Sequence, residues 1–181
     1  MIYKRAFTLK NGESATVRSA LEEDAEEIVR LFRACREETD FLLSYNEESK
    51  LTPDMEREII AGMNSSERSA LLVIECGGVI AGTAGFSEVR DRIKLRHRAS
   101  FGVNVLRDYW GRGLGRALVK SVIDCAKEAR YEQLELEAVA ENERAVGLYK
   151  SLGFTEYGRN PRGFRTRSGE YQELIEMRME L

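Results

Sequence analysis

Glycines at positions 111, 113 and 115 punctuate the run Phe101-Gly-Val-Asn-Val-Leu-Arg-Asp-Tyr-Trp-Gly-Arg-Gly-Leu-Gly-Arg116. An apolar, strand-like stretch ends near Val105, and an amphipathic, helix-like stretch opens at Gly113. Glycine lets the backbone approach a ligand closely and accepts unusual φ. The first turn of a helix holds N–H groups without intrahelical partners and carries the positive end of its dipole. Together these suit a phosphate or diphosphate. Arg112 and Arg116 fall on that turn, with Arg107 and Lys120 close by in sequence. A tight turn without a ligand has the same glycine spacing, so the motif alone leaves both readings open. The nucleotide-loop pattern G-x-x-x-x-G-K-[ST] is absent. A dinucleotide-binding βαβ unit needs its glycines after the first strand, and these lie past mid-chain.

Positioning such a turn takes a strand before it, a helix after it and a sheet to hold both. The chain's 181 residues and 20.6 kDa predict one domain, 1–181, exposing roughly 8,900 Å² when folded. Residues 3–9 and 14–19 read as strands around the Asn11-Gly12 turn signal. Residues 22–38 read as a helix, and Thr52-Pro53 supplies an N-cap and first helical residue for another, to about Met63. Residues 70–76 and 79–89 flank Gly77-Gly78 as a hairpin, and 99–105 is a further strand. Residues 113–128 form an amphipathic helix, 132–139 a strand, and 142–152 a helix stopped by Gly153. Residues 154–160 and 170–179 close the chain as strands, with Pro161-Arg-Gly163 opening the loop between them. This order predicts an α/β (α+β) fold, a mainly antiparallel sheet with one parallel crossover and flanking helices.

Composition narrows the function. Hydrophobic residues make up 43% and charged residues 33% of the chain, which excludes a disordered or low-complexity protein. No apolar run approaches the ~20 residues needed to cross a bilayer, and the start lacks a secretion signal, so a cytoplasmic protein with no membrane partner is expected. Cys35, Cys76 and Cys125 are widely spaced without a C-x-x-C, which argues against disulfides and a zinc site; no metal is expected. Residues 90–120 carry nine Lys and Arg against Asp91 and Asp108, inside a chain of net charge −3. A basic island in an acidic chain suits a small polyanion better than a nucleic acid. Arg90, Arg92, Lys94, Arg96 and Arg98 recur at period two and would share one face of a strand. That stripe is equally a solvated edge or an attractor of acidic partners.

At these residues the chain resembles the GNAT superfamily of acyl-coenzyme A-dependent N-acetyltransferases. Trp110-Gly111-Arg112-Gly113-Leu114-Gly115 matches the family's [Q/R]-x-x-G-x-[G/A] motif at both glycines, with Trp110 in place of the usual first residue. Leu134-Glu-Leu-Glu137, Asn142-Glu-Arg-Ala145 and Leu148-Tyr149-Lys-Ser-Leu-Gly153-Phe154 are similar to its acceptor-side motif. The resemblance covers roughly residues 15–180. It implies a six- to seven-stranded sheet with one splayed parallel pair and about four helices. Residues 99–128 would form the cofactor-binding strand, turn and helix, residues 133–181 the acceptor-side half, and residues 1–19 an N-terminal hairpin.

The resemblance implies that acetyl-CoA lies between the strands at 99–105 and 133–138, its pantetheine paired with the backbone of Val103 and Val105. Amides from Arg112 to Arg116 would take the diphosphate, aided by Arg107, Arg112, Arg116 and Lys120. Asn142 would bond the pantetheine or simply cap its helix. Tyr149 would be the general acid that protonates the departing thiolate, although its helical stripe with Ala145 and Leu152 equally suits a core aromatic. Phe101 stands where many members carry a glutamate, so no general base is assigned. Glu88, Glu135 and Glu137 are candidates, each also readable as a solvated or ion-paired strand carboxylate. His97, set among arginines, reads as a surface residue. The expected reaction is direct transfer of acetyl to a primary amine on a small molecule, amino acid or peptide, with specificity set by residues 39–50, the second helix and residues 161–169. A CoA-binding module without catalysis is the alternative, and a nucleic-acid binder using the 90–98 stripe is a third reading. Superfamily members commonly form homodimers, but no segment identifies an interface here.

Overall fold

The computed structural model describes residues 2–181. Its strands are β1 (Lys4–Thr8), β2 (Ser14–Ser19), β3 (Ala70–Cys76), β4 (Val79–Glu88), β5 (Arg98–Val105), β6 (Gln133–Val139), β7 (Thr155–Arg165) and β8 (Tyr171–Glu180). The helices are α1 (Ala25–Glu38), α2 (Pro53–Ser65), α3 (Leu114–Glu128) and α4 (Glu143–Ser151). All eight strands join one sheet in the order β1-β2-β3-β4-β5-β6-β8-β7, antiparallel except between β5 and β6. The resemblance implies six to seven strands. The N-terminal hairpin accounts for the excess, because β2 pairs with the free edge of β3 and β1 then extends the sheet.

Strand alternation divides the core. Ala70, Leu72 and Ile74 of β3 pack with α3 residues such as Leu118, Val119 and Val122 on one face. Leu71 and Val73 pack with Ile28 and Leu31 of α1 and Ile60 of α2 on the other. Thr52 caps α2 as its sequence suggests, its hydroxyl accepting from the Met55 N–H at 3.3 Å, with Pro53 the first helical residue.

Three expectations are corrected. Helix α1 starts at Ala25 rather than 22, after a 3₁₀ turn over Glu22–Asp24. The Asp24 carboxylate there accepts from the Leu21 N–H at 2.7 Å and takes a bidentate pair from Arg18. The basic stripe is not a strand. Residues 90–97 form a loop with one 3₁₀ turn, Ile93–Leu95, and only Arg98 enters β5, so the five cations share no strand face. Finally, Pro161-Arg-Gly163 does not end β7, which runs through a bulge between Asn160 and Phe164 to Arg165. A sheet-edge bulge tolerates proline's missing N–H. A Cβ at Gly163 would come within 2.3 Å of Leu174 Cγ, so the bulge requires glycine there.

Candidate active site

The site begins where two parallel strands part. The carbonyl of His97 accepts from the N–H groups of Glu132 and Gln133, fixing the start of the pair. Pairing then runs only from Arg98 opposite Gln133 to Ser100 opposite Glu135, although β5 continues to Val105 and β6 to Val139. On its other edge β5 stays paired with β4 along its length. The Val89-to-Arg98 and Leu106-to-Ala81 hydrogen bonds show that even-numbered positions of β5 bond toward β4. Antiparallel alternation therefore turns the N–H and C=O groups of Phe101, Val103 and Val105 into the gap. Trp110 Nε1 already donates to the Val105 carbonyl at 2.7 Å, which leaves the Val105 N–H and both groups of Val103 as open strand edge.

The gap opens into a cavity of ≈ 1250 Å³ that crosses the sheet. At one end stands the glycine turn. Gly111 (φ 78°) and Gly113 (φ 106°) adopt left-handed backbone that a side chain would strain, and Gly113 is the N-cap of α3. The first bond of the helix is Ala117 N–H to Gly113 O. Among the described residues, none of the amides from Gly111 to Arg116 donates a hydrogen bond, so this turn presents a row of donors at a positive helix end. A Cβ at Gly111 would meet nothing within 4 Å, and one at Gly115 would rest 3.4 Å from Leu148. The cradle is open for a diphosphate.

Val103, Val105, Trp110, Gly111, Gly113, Leu114, Gly115, Arg116, Asn142 and Tyr149 all line this cavity. Arg107 and Arg112 do not. The Arg107 guanidinium donates to the carbonyl of Glu38, and the Arg107 amide donates to that residue's carboxylate at 2.8 Å. The Arg112 guanidinium lies 5.0 Å from the Tyr109 ring centre and 4.0 Å from Glu13. The sequence missed two cations that do line the cavity. Lys10 is brought in by the β1–β2 turn, its amide bonded to the Arg112 carbonyl at 3.0 Å, and Arg144 stacks over the Trp110 ring at 4.8 Å. Lys10 carries no local signal, because it meets the glycine turn only through the fold, and Arg144 lies in the Asn142–Ala145 motif, where the sequence singles out only Asn142.

Asn142 caps α4, its Oδ1 accepting from the Ala145 N–H at 3.3 Å, while also lining the cavity. Tyr149 packs edge-on against Phe101 and Phe154, ring centres 6.0 and 5.9 Å away. Burial among these rings pushes its phenol up to about 12. No described residue hydrogen-bonds its hydroxyl. Phe101 is therefore half of an aromatic wall under the gap. Of the carboxylates weighed from sequence, Glu88 does not line the cavity. Glu135 does, but Arg98 holds it through both oxygens and Gln133 adds a third donor. Glu137 lines it free of ion pairs among the described residues. Continuing the Ser100–Glu135 register sets Glu137 opposite Gly102, between the gap-facing backbones of Phe101 and Val103. The α1–α2 loop and β7 contribute Phe41, Leu42, Leu43 and Phe164, whereas α2 contributes no lining residue. Among the described residues no group of acids, histidines and cysteines could hold a metal ion, and no helix is long and apolar enough to cross a membrane.

Known proteins resemble this chain in sequence and in fold. The sequence model of the Acetyltransferase (GNAT) family matches residues 25–154. The [Ribosomal protein bS18]-alanine N-acetyltransferase of Escherichia coli (strain K12) is 31% identical over 139 residues, covering 77% of this chain and 90% of that protein. The L-amino acid N-acyltransferase MnaT of the same strain is 32% identical over 111 residues, 61% of this chain, which spans less than two thirds (64%) of that relative's length. An acetyltransferase of the GNAT family from Streptococcus pneumoniae superposes with a TM-score of 0.88 at 26% identity, over 92% of this chain and 99% of that one. With the splayed strands, the open glycine turn and these matches in hand, the chain belongs to the Acetyltransferase (GNAT) family.

Proposed function

We propose that this chain transfers an acetyl group from acetyl-CoA to a primary amine by direct attack. The observation that carries the reading is continuity. Free amides at Gly111–Arg116 lead to the open backbone edge of Val103 and Val105, and that edge leads to Tyr149 and Glu137 in one cavity. The diphosphate would lie on the amides, with Lys10 and Arg116 adding charge. Pantetheine would pair with Val103 as an added strand.

With the thioester so held, the amine nitrogen forms a bond to the carbonyl carbon while the carbon–sulfur bond breaks. Backbone N–H groups of the open β5 edge stabilise the oxygen as it gains charge. Glu137, directly or through one water, takes the proton that the attacking nitrogen sheds. The Tyr149 phenol, held near 12 by burial, is a weaker acid than a free thiol at about 8.5. Complete transfer to a thiolate is therefore uphill, and Tyr149 acts by donating a hydrogen bond to sulfur as charge builds there. No cysteine is asked to form an acyl-enzyme: Cys35 lines the cavity, but burial pushes its thiol up to about 12, which keeps it from being a thiolate.

A thiol-release assay with acetyl-CoA and a panel of primary amines tests the reading. Turnover with at least one amine, reduced in Tyr149→Phe by roughly 10²-fold or more, is the expected result. Tight binding of acetyl-CoA with no turnover across the panel would favour a binding module, and a loss of only a few-fold in Tyr149→Phe would remove that residue from the chemistry.

A further inference from the structure

On the face of the sheet that α1 covers, the cavity is lined by acids without bases to match. Its lining cations, Lys10, Arg116 and Arg144, come from the β1–β2 turn, α3 and α4, on the face that α3 covers. Glu141 and Glu143 line it beside Arg144 at the start of α4, and on the opposite face its carboxylates are Glu38 at the end of α1 and Glu135 and Glu137 of β6. Strand register fixes that face: Glu135 is level with Ser100, and Ser100 alternates with Asn104, which pairs with Thr83 beside Val73 in the α1–α2 core. Arg98 neutralises Glu135 alone. Among the described residues no other Lys or Arg lines the cavity there, and Arg107 is held against Glu38 outside it. The remaining wall is apolar, with Phe41, Leu42 and Leu43 from the loop after α1 and Leu174 from β8.

We infer that the acceptor is a primary amine bearing an apolar group and no carboxylate on the amine-bearing carbon, and that Glu38 enforces this choice. This rests on the acetyltransferase reading. An amine poised for attack beside Glu137 would bring an α-carboxylate into the same half of the cavity. There it meets Glu38 and Glu137, and the nearest guanidinium, that of Arg107, is already engaged by the Glu38 carbonyl. Like charges brought together in a partly dry pocket repel strongly, and specificity of this kind is built by repulsion as much as by attraction. A cationic or amide-capped acceptor meets no such penalty, and the carboxylates attract the ammonium form on approach.

The test compares kcat/KM for L-leucine, L-leucinamide and 3-methylbutylamine, which share a side chain and differ in what stands at the carboxylate position. Both carboxylate-free amines should exceed leucine by at least tenfold. The amine of 3-methylbutylamine is more basic than that of leucine, so its advantage cannot come from a larger fraction of free amine. In Glu38→Gln the leucinamide-to-leucine ratio should shrink several-fold, whereas a merely structural defect would lower all three substrates alike. Leucine used as well as leucinamide, a ratio unmoved in Glu38→Gln, or no turnover of any of the three by protein that binds acetyl-CoA would each overturn the inference. Failure to bind acetyl-CoA at all would strike the acetyltransferase reading itself.

Discussion

Glu137 and Tyr149 are assigned opposite duties, and their surroundings suit the division. Glu137 stands on β6 without an ion-pair partner among the described residues, whereas Tyr149 is enclosed by Phe101 and Phe154 and keeps its proton. Substituting Glu137→Gln should lower kcat by roughly 10²-fold or more while calorimetry finds the affinity for acetyl-CoA unchanged. A loss of affinity equal to the loss of rate would make Glu137 a structural residue. The phenol makes a second prediction. Its proton is held in the folded protein up to about pH 12, against 10 for an ordinary tyrosine. Titration of Tyr149 should therefore give no alkaline fall in kcat below roughly pH 11, one unit short of that value. A decline centred near pH 10 that disappears in Tyr149→Phe would contradict its burial. Tyr149, Asn142 and the glycines were legible in sequence because they lie in short contiguous motifs. Lys10 and Glu38 were not, since they meet the site from distant elements, and Arg144, although inside the Asn142–Ala145 motif, meets Trp110 only in the fold. Arg112 in the motif and Arg107 just before it show the limit of such reading: Tyr109 and Glu38 hold their long side chains away from the cavity.

At the scale of elements, the site is a strand edge joined to a helix start by a turn that needs left-handed backbone. Gly113→Ala has room for its methyl group, 3.8 Å from the nearest atom, but must hold φ at 106°. That strain costs about 1–2 kcal/mol, or relaxes by moving the amides. The variant should melt a few degrees lower and bind acetyl-CoA more weakly than its stability loss explains. Unchanged affinity would mean the turn does not present the ligand. The early parting of β5 and β6 had no signature of its own in the residues, whose apolar alternation reads the same for paired and unpaired strand; only the family resemblance implied it. The β7 bulge was hidden for a different reason. Pro161-Arg-Gly163 has turn composition, and only the packing of Leu174 under Gly163 explains why these residues remain in the sheet.

Across the whole molecule, the cavity draws on both faces of the sheet, and some elements serve only as scaffolding that never touches it. Helix α2 belongs to the scaffolding, and its Glu56 is 2% exposed, with burial pushing its carboxyl from 4.5 up to about 7. A raised carboxyl means the folded state binds the proton more tightly. This group's contribution is therefore most favourable below pH 4.5 and is lost as pH rises toward 7. Glu56→Gln should raise the melting temperature at pH 8, by an amount on the order of 2 kcal/mol in stability, and flatten its pH dependence without altering turnover. A variant less stable than the parent at pH 8 would show that the ionised carboxylate has a partner. The molecule exposes 10272 Å², more than the roughly 8,900 Å² expected of a compact chain this size. The largely exposed edge strand β7 and the cleft through the sheet both contribute to the difference. Composition and length bound the size of the core, but they carry no information about a cleft.

The account stands or falls on the grip of the glycine turn, and calorimetry can isolate it. Acetyl-CoA and S-acetylpantetheine share the thioester and the strand-pairing arm; the former adds the diphosphate with its 3′-phosphoadenosine, and Gly113→Ala, which disturbs the turn alone, should narrow the gap between them. Several charge-assisted hydrogen bonds at about 1.5–3 kcal/mol each predict that acetyl-CoA binds at least a hundredfold more tightly. Equal affinities, or no measurable heat from acetyl-CoA, would contradict it.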